Sequence, residues 1–139
     1  MSSQPAGYSG TPLLRKLGIK PGHRLAFVHA PDEFAQTLGA LPDGVVMVPD
    51  DAAPLDLAVF FTTRADDLPA AFQRLGRRVY PDGTLWIAWP KKAAKVATDL
   101  TEDGVRAIGL REGMVDVKVC AIDAVWSGLK FVYRLADRR

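Results

Sequence analysis

The sequence predicts a single three-layer α/β domain whose sheet is mostly parallel and closes with a C-terminal antiparallel hairpin. Continuous apolar runs such as Leu57–Phe61 are typical of strands buried on both faces, and they alternate with amphipathic segments such as residues 66–78. The last two strand segments instead alternate apolar and polar residues, which is typical of an antiparallel pair. With 139 residues, 48% of them hydrophobic and 24% charged, the chain fits one domain with its own core.

The N-terminal half is expected to supply three strands and two helices. Residues 1–7 are small and polar and predict a flexible arm, so the folded domain is expected to span 8–139. Thr11 is expected to cap a short helix that ends at Gly18. The three strands are predicted at His23–His29, Val45–Val48 and Leu57–Phe61. The second helix is predicted at Pro31–Leu41.

The direction of the second predicted strand stays open. Residues 49–56 are too few to form a crossover helix, whereas parallel neighbours normally need about a dozen residues or more between them. Either this segment crosses in a nearly stretched form, or the second strand runs antiparallel. We favour the stretched crossover.

The C-terminal half is expected to contain two helices and three strands. An apolar stripe of Leu68, Phe72 and Leu75 predicts a helix over residues 66–78. The string Asp99–Glu102 is typical of a capping box and predicts a helix that runs to about Arg111. Strands are predicted at Thr84–Trp89, Val115–Asp123 and Leu129–Leu135, with residues 124–128 as the hairpin turn.

Composition excludes several classes of protein. No apolar run is long enough to span a bilayer, the first residues lack the pattern of a signal peptide, and the single cysteine, Cys120, excludes an internal disulfide. We therefore expect a cytoplasmic protein without a membrane partner. The single cysteine and the two unpaired histidines also predict no metal site.

The distribution of charge is more informative than its total of +2. From Gly76 onward 12 basic residues face 8 acidic ones, which is compatible with an anionic ligand. A nucleic-acid binder usually has a denser basic stripe with exposed aromatic residues, so we expect no nucleic-acid partner. The lysines that would bind nucleic acid under that alternative are Lys91, Lys92, Lys95, Lys118 and Lys130.

From residue 23 onward the order of elements resembles a shortened class I methyltransferase, a Rossmann-like fold, with one strand–helix unit missing after Val48. The segments that carry the resemblance are Leu55–Phe61, Pro81–Pro90, Val115–Asp123 and Leu129–Leu135. Most of the chain is also similar to a family of small uncharacterised bacterial proteins that carry a domain of unknown function. The strings that carry this second resemblance are Tyr8–Leu13, Trp89–Lys92, Thr98–Asp103, Val115–Ala121 and Trp126–Val132.

The turn after the first strand departs from the methyltransferase pattern. Cofactor-binding relatives place a glycine-rich turn there, so that the backbone can approach the ligand closely. In this chain His29–Phe34 has no glycine, and it contains Pro31 and two carboxylates, which disfavour a phosphate. The sulfonium of S-adenosylmethionine would tolerate the carboxylates, but without glycines the turn leaves less room. Under this alternative the cofactor would be bound by His29, Asp50 and Asp51.

The main hypothesis places a ligand at the carboxyl ends of the strands, where open α/β sheets bind their ligands. Cations, a hydroxyl and two indoles follow those ends and would suit a small carboxylate or phosphate. The residues of this predicted rim are Arg64, Trp89, Lys91, Lys92, Trp126 and Ser127. We expect a non-catalytic module that uses no cofactor and binds a small anionic ligand or a protein partner there. The alternative is a minimal S-adenosylmethionine-dependent methyltransferase, and the sequence leaves the oligomeric state open.

No catalytic constellation stands out in the sequence. Cys120 lies in the middle of a predicted strand, which indicates an inert buried thiol. Ser127, His29 and Asp123 would form a triad only if the fold brought them together. No residue is therefore assigned a catalytic role.

Overall fold

The computed structural model describes residues 12–138, which form one six-stranded sheet in the order β2-β1-β3-β4-β6-β5. The predicted arm over residues 1–7 and the predicted cap at Thr11 lie outside the described residues. The strands are β1 Arg24–Val28, β2 Val46–Met47, β3 Leu57–Phe61, β4 Thr84–Pro90, β5 Val115–Ala121 and β6 Trp126–Val132. The helices are α1 Leu13–Leu17, α2 Phe34–Leu38, α3 Leu68–Val79 and α4 Glu102–Arg111, and short 3₁₀ turns occupy Ala65–Asp67, Lys92–Ala94 and Leu135–Asp137.

The first four strands in the order are parallel, and the last two close the sheet as an antiparallel hairpin. β1 pairs in parallel with β2 and β3, and β3 pairs in parallel with β4. β6 runs antiparallel to both β4 and β5. The predicted fold class is confirmed. As expected, residues 12–138 do not contain the strand–helix unit that follows β2 in a longer Rossmann-type sheet.

The second strand is parallel, so the stretched crossover is confirmed. The connection from β2 to β3 passes from one side of β1 to the other without a helix. Val48 and Leu55 both pack in the core that lies against α3, so the connection crosses β1 on that face. The backbone N–H of Leu55 donates to the carbonyl of Arg78, 2.8 Å away, which ties the connection to α3.

Two cores cover the two faces of the sheet because successive strand residues point to opposite faces. In β3, Ala58 and Phe60 pack with α3 and α4 in what we call the first core. Leu57, Val59 and Phe61 pack with α1 and α2 in the second core. The buried indole of Trp86 donates through Nε1 to the carbonyl of Leu17 at 2.9 Å, which fixes the end of α1 against the second core.

The second helix is shorter than predicted. It ends at Leu38 because Gly39 adopts φ 76°, a backbone conformation that stops an α-helix. Leu41 lies beyond the end of the helix. Its side chain still packs against the second core, as expected for a residue of the predicted apolar stripe.

The cap of α4 is Thr101, whereas the sequence indicated Asp99. The Thr101 hydroxyl accepts the N–H of Gly104 at 3.0 Å. Asp99 instead accepts the N–H of Ala65 at 2.8 Å and so connects the start of α4 to the segment after β3. No helix between residues 12 and 138 is long and apolar enough to cross a membrane.

The hairpin turn is shorter than predicted. Asp123 accepts the N–H groups of Val125 and Trp126 through Oδ1, both at 2.8 Å, which forms a tight turn. Trp126 and Ser127 therefore lie in β6 and are not turn residues as the sequence indicated. Because the turn is tighter, β6 begins at Trp126 and not at Leu129 as predicted.

Candidate functional site

The topological switch point of the sheet lies between β1 and β3. From β1 the chain proceeds to β2 on one side and then returns to β3 on the other side. The connections therefore leave in opposite directions and open a crevice at the carboxyl ends of these strands. We call the whole border formed by the carboxyl ends of the parallel strands the carboxyl edge.

The turn that leaves β1 has a left-handed backbone although it lacks glycine. His29 has φ 58°, which a residue with a side chain rarely adopts. Its imidazole is exposed and lies beside Phe60, with ring centroids 5.5 Å apart. Strained residues of this kind concentrate at functional sites. The backbone shape that glycine normally supplies is therefore present at the switch point.

Carboxylates flank this turn and are not used by the fold. Asp32 and Glu33 follow β1, and Asp51 follows β2; all three are exposed. Their side chains form no hydrogen bond or ion pair with any other residue in the range 12–138. From the sequence, Asp32 and Glu33 were interpreted as charges at the start of a helix. The sheet order shows that they follow a strand adjacent to the one that Asp51 follows.

Asp50 is half-buried and held by α3. Its Oδ2 accepts from Nη1 of Arg74 at 2.9 Å, and both side chains are 40% exposed. The pair joins the end of β2 to α3 across the stretched crossover. Because only Oδ2 is used, Oδ1 of Asp50 keeps its capacity to accept a hydrogen bond.

Other acids of the carboxyl edge stabilise the fold locally. Asp67 accepts the hydroxyl proton of Thr62 at 2.7 Å, at the point where β3 ends. Asp99 and Asp123 accept backbone N–H groups, as described above. These carboxylates fix loops, whereas Asp32, Glu33 and Asp51 leave their oxygens open to a ligand.

The predicted rim cations lie at this edge but are outnumbered by acids. Arg64 is 69% exposed and 3.8 Å from Asp66. Lys91 is half-buried and donates its backbone N–H to the carbonyl of Val125 at 2.7 Å, and Lys92 is exposed at the start of a 3₁₀ turn. Together the edge holds the cations Arg64, Lys91, Lys92, Lys95 and Arg74 against the acids Asp32, Glu33, Asp50, Asp51, Asp66, Asp67, Asp99 and Asp123.

The two indoles of the predicted rim lie on opposite faces of the sheet. Trp89 is 5% exposed and packs in the first core. Trp126 is half-buried against the second core, with its ring centroid 5.2 Å from that of Phe61. Ser127 pairs with Trp89 across the ladder. The two tryptophans do not form the shared aromatic wall that the sequence suggested, because the residues between them alternate through the sheet.

Ser127, His29 and Asp123 are not brought together as a triad. β3 and β4 separate β1 from β6, so at about 4.8 Å per strand His29 lies roughly 14 Å from Ser127. Cys120 is half-buried, and burial raises the pKa of its thiol despite the nearby Lys16 and Lys118, which keeps it protonated and unreactive. Within residues 12–138, no three His, Cys, Asp or Glu side chains are grouped so that they could hold a metal ion.

Comparison with known proteins identifies the fold. Neither a protein-family model nor a curated protein sequence matches the chain. It is similar to a SAM-dependent methyltransferase from Aquifex aeolicus, with 14% identity, a TM-score of 0.57 and 86% of each chain covered. It is also similar to magnesium protoporphyrin IX methyltransferase from Synechocystis with bound SAH, with 10% identity, a TM-score of 0.55, and 88% of this chain and 78% of that chain covered.

A third similar structure is fibrillarin from Aeropyrum pernix with natively bound S-adenosyl-L-methionine, with 11% identity, a TM-score of 0.55, and 91% of this chain and 70% of that chain covered. At these identities the likeness shows the fold alone. The protein thus has a methyltransferase-like Rossmann fold. The resemblance to an uncharacterised bacterial family stays a prediction.

Proposed function

We propose that the domain binds S-adenosylmethionine, or a similar nucleoside that carries a positive charge, in the crevice between β1 and β3. The observation that carries this proposal is the pairing of a left-handed turn at His29 with the unpartnered carboxylates of Asp32 and Asp51. Such a turn gives the chain the backbone conformation that glycine normally supplies at this position. The carboxylates can attract a cation without breaking a native contact.

The charge of the carboxyl edge favours this alternative over the anionic ligand expected from the sequence. Acids outnumber cations there, so the field repels a phosphate or a carboxylate and attracts a sulfonium. Pro31 in the turn has no N–H and cannot donate to an anion. Nucleotides that bind through phosphates need the opposite arrangement, with donors at this turn.

The residues present suit the polar groups of an adenosyl ligand. Asp51 and the free Oδ1 of Asp50 follow β2, where a carboxylate accepts from ribose hydroxyls in Rossmann-type folds. Asp32 and Glu33 provide negative charge on the other side of the turn. When bound, S-adenosylmethionine supplies a methyl group activated by the sulfonium. The similar Synechocystis and Aeropyrum structures hold SAH and S-adenosyl-L-methionine, which supports this ligand class.

Thermal unfolding of the purified protein tests the proposal. S-adenosylmethionine at ~100 times its dissociation constant should stabilise the fold by about 2.7 kcal/mol, which is a midpoint shift of several degrees. S-adenosylhomocysteine lacks the sulfonium charge and should shift the midpoint less. ATP should not bind in this crevice, because its phosphates meet carboxylates and a proline, so any shift that ATP causes elsewhere should be unchanged in Asp51→Asn.

Substitutions at the edge locate the ligand. Asp51→Asn and Asp32→Asn should each reduce the shift while leaving the unliganded midpoint unchanged. Asp43→Asn is the matched control, because Asp43 is also an exposed turn aspartate but precedes β2. A shift caused by simple anions and abolished by Arg64→Ala would instead establish the anion-binding rim. Equal shifts with S-adenosylmethionine in all three aspartate variants would refute the proposed site.

A further inference from the structure

The opposite border of the sheet, where the parallel strands begin, carries a group of three lysines, Lys20, Lys118 and Lys130. Lys118 and Lys130 stand directly opposite each other on β5 and β6. Directly opposed residues of an antiparallel pair point to the same face, and like charges in such positions repel. Neither Lys130 nor Lys20 has a carboxylate within 4.0 Å or a hydrogen-bond acceptor for its ammonium among residues 12–138.

The fold holds these side chains close together. Lys118 donates through Nζ to the carbonyl of Lys16 at 3.1 Å, which fixes it beside the end of α1. Lys130 Nζ lies against Gly18, 4.0 Å from the position that a Cβ would take there. Burial and the charges of Lys118 and Lys20 lower the pKa of Lys130. The cluster therefore concentrates positive charge, and none of its three ammonium groups forms an ion pair with a carboxylate among residues 12–138.

A cavity of about 380 Å³ adjoins the cluster, and we call it the amino-edge cavity. Lys20, His23 and Lys130 are among the residues that line it. His23 accepts the N–H of Lys20 through Nδ1 at 3.2 Å, so the neutral imidazole carries its proton on Nε2, which is left as a donor. Asp56 and Asp82 line the same cavity, and Asp56 Oδ2 is occupied by the N–H of Arg24 at 2.7 Å.

We propose that the amino-edge cavity is a second binding site, which takes the phosphate group of a small phosphorylated ligand between Lys20, His23 and Lys130. An oxyanion with two negative charges would offset the charges of Lys20 and Lys130 and accept hydrogen bonds from their ammonium groups. The size of the cavity suits a small molecule. This site is on the far border of the sheet from the crevice between β1 and β3, and it does not depend on the function proposed for that crevice.

Inorganic phosphate and pyrophosphate are the probes, used in thermal unfolding at constant ionic strength with sodium chloride as the reference salt. Pyrophosphate should raise the midpoint more than phosphate, and chloride should not raise it. Lys130→Met should raise the midpoint of the free protein, because it removes an unpartnered, half-buried charge while keeping the apolar stem. The same variant should weaken pyrophosphate binding about tenfold or more.

Controls separate this site from general ion effects. Lys20→Gln should weaken pyrophosphate binding without changing the fold, whereas Lys92→Gln, an exposed lysine of the carboxyl edge, should leave it intact. Asp51→Asn should also leave it intact, so that failure of the adenosyl site and failure of this site can be told apart. An equal pyrophosphate shift in wild type, Lys130→Met and Lys92→Gln would overturn the proposal. Salt-sensitive binding of a single-stranded oligonucleotide, with no response to pyrophosphate, would overturn it in favour of a nucleic-acid surface.

Discussion

The two candidate sites at the borders of this sheet differ in the charged side chains around them. Carboxylates flank the turn after β1, whereas lysines line part of the amino-edge cavity, although the exposed acids Asp43 and Asp82 also lie at that border. At the carboxyl edge, Asp32, Glu33 and Asp51 are exposed and have no partner among residues 12–138. At the amino end of the parallel strands, the exposed Lys20 and the half-buried Lys130 likewise have no hydrogen bond or ion pair for their ammonium groups among those residues. The net charge of the whole chain, +2, therefore does not indicate whether a given site attracts a cation or an anion. In our proposals the carboxyl edge binds a cation beside Asp32 and Asp51, and the amino edge binds an anion beside Lys20 and Lys130.

Within the carboxyl edge, acids that stabilise the fold differ from acids that are free to bind. Asp123 accepts two backbone N–H groups, so Asp123→Ala should lower the free energy of unfolding by about 2 kcal/mol. Asp51→Asn should change it by less than about 0.5 kcal/mol, because the Asp51 side chain is exposed and forms no hydrogen bond or ion pair with a described residue. Urea unfolding of the two variants measures both values. A cost for Asp51→Asn as large as that for Asp123→Ala would remove the distinction.

The left-handed turn at His29 provides a second stability test at the carboxyl edge. His29→Val should lower the free energy of unfolding by roughly 1–2 kcal/mol, because a β-branched side chain strains a positive φ. His29→Gly should leave stability unchanged or raise it, because glycine adopts this conformation without strain. Chemical denaturation checks both variants. A stabilised His29→Val would show that the turn is not held in the left-handed conformation.

At the amino end, Lys130 should make stability depend on pH. Its pKa is lowered in the folded state by burial and by the neighbouring Lys118 and Lys20, so its charge opposes folding at neutral pH. As pH rises through the lowered pKa toward the ordinary value of 10.5, the folded protein loses this proton first and the penalty disappears. The advantage of Lys130→Met, less than about 1 kcal/mol for a partly exposed group, should therefore shrink as pH rises.

Comparison of the two proteins at each pH isolates this effect. Burial raises the pKa of Cys120 and of Tyr133, which lowers stability at high pH, but these groups titrate in wild type and variant alike. Their contributions cancel in the difference. An advantage that stays constant or grows between neutral pH and pH 10 would contradict the assignment to Lys130.

The sequence predicted the elements well where local patterns decide them. The buried strand Leu57–Phe61 was found with its observed bounds, because a continuous apolar run is typical of a parallel central strand. The start of β6 was misplaced, because the turn depends on the side chain of Asp123 and not on the glycine at 128. The end of α2 was placed at Leu41 because that residue continues the apolar stripe, although Gly39 stops the helix.

The candidate site was harder to predict, because it depends on which strands are neighbours. Trp89 was assigned to the rim as a residue at a strand end, yet Leu85, Ile87 and Trp89 share one face and all pack in the first core. This alternation of strand residues between the two faces could have been predicted from the sequence. The opposition of Lys118 and Lys130 was not visible, because a register irregularity between Asp116 and Lys118 decides which residues of β5 face β6.

Chemical-shift mapping of the ¹⁵N-labelled protein tests the central claim most directly, since it locates each ligand on its own border. S-adenosylmethionine should shift backbone amides around His29, Asp51 and Thr63 and leave those around Lys20 and Lys130 unchanged. Pyrophosphate should do the reverse. Perturbation of the same amides by both ligands, or of the amides around Lys20 and Lys130 by S-adenosylmethionine, would contradict the assignment of opposite charges to the two borders.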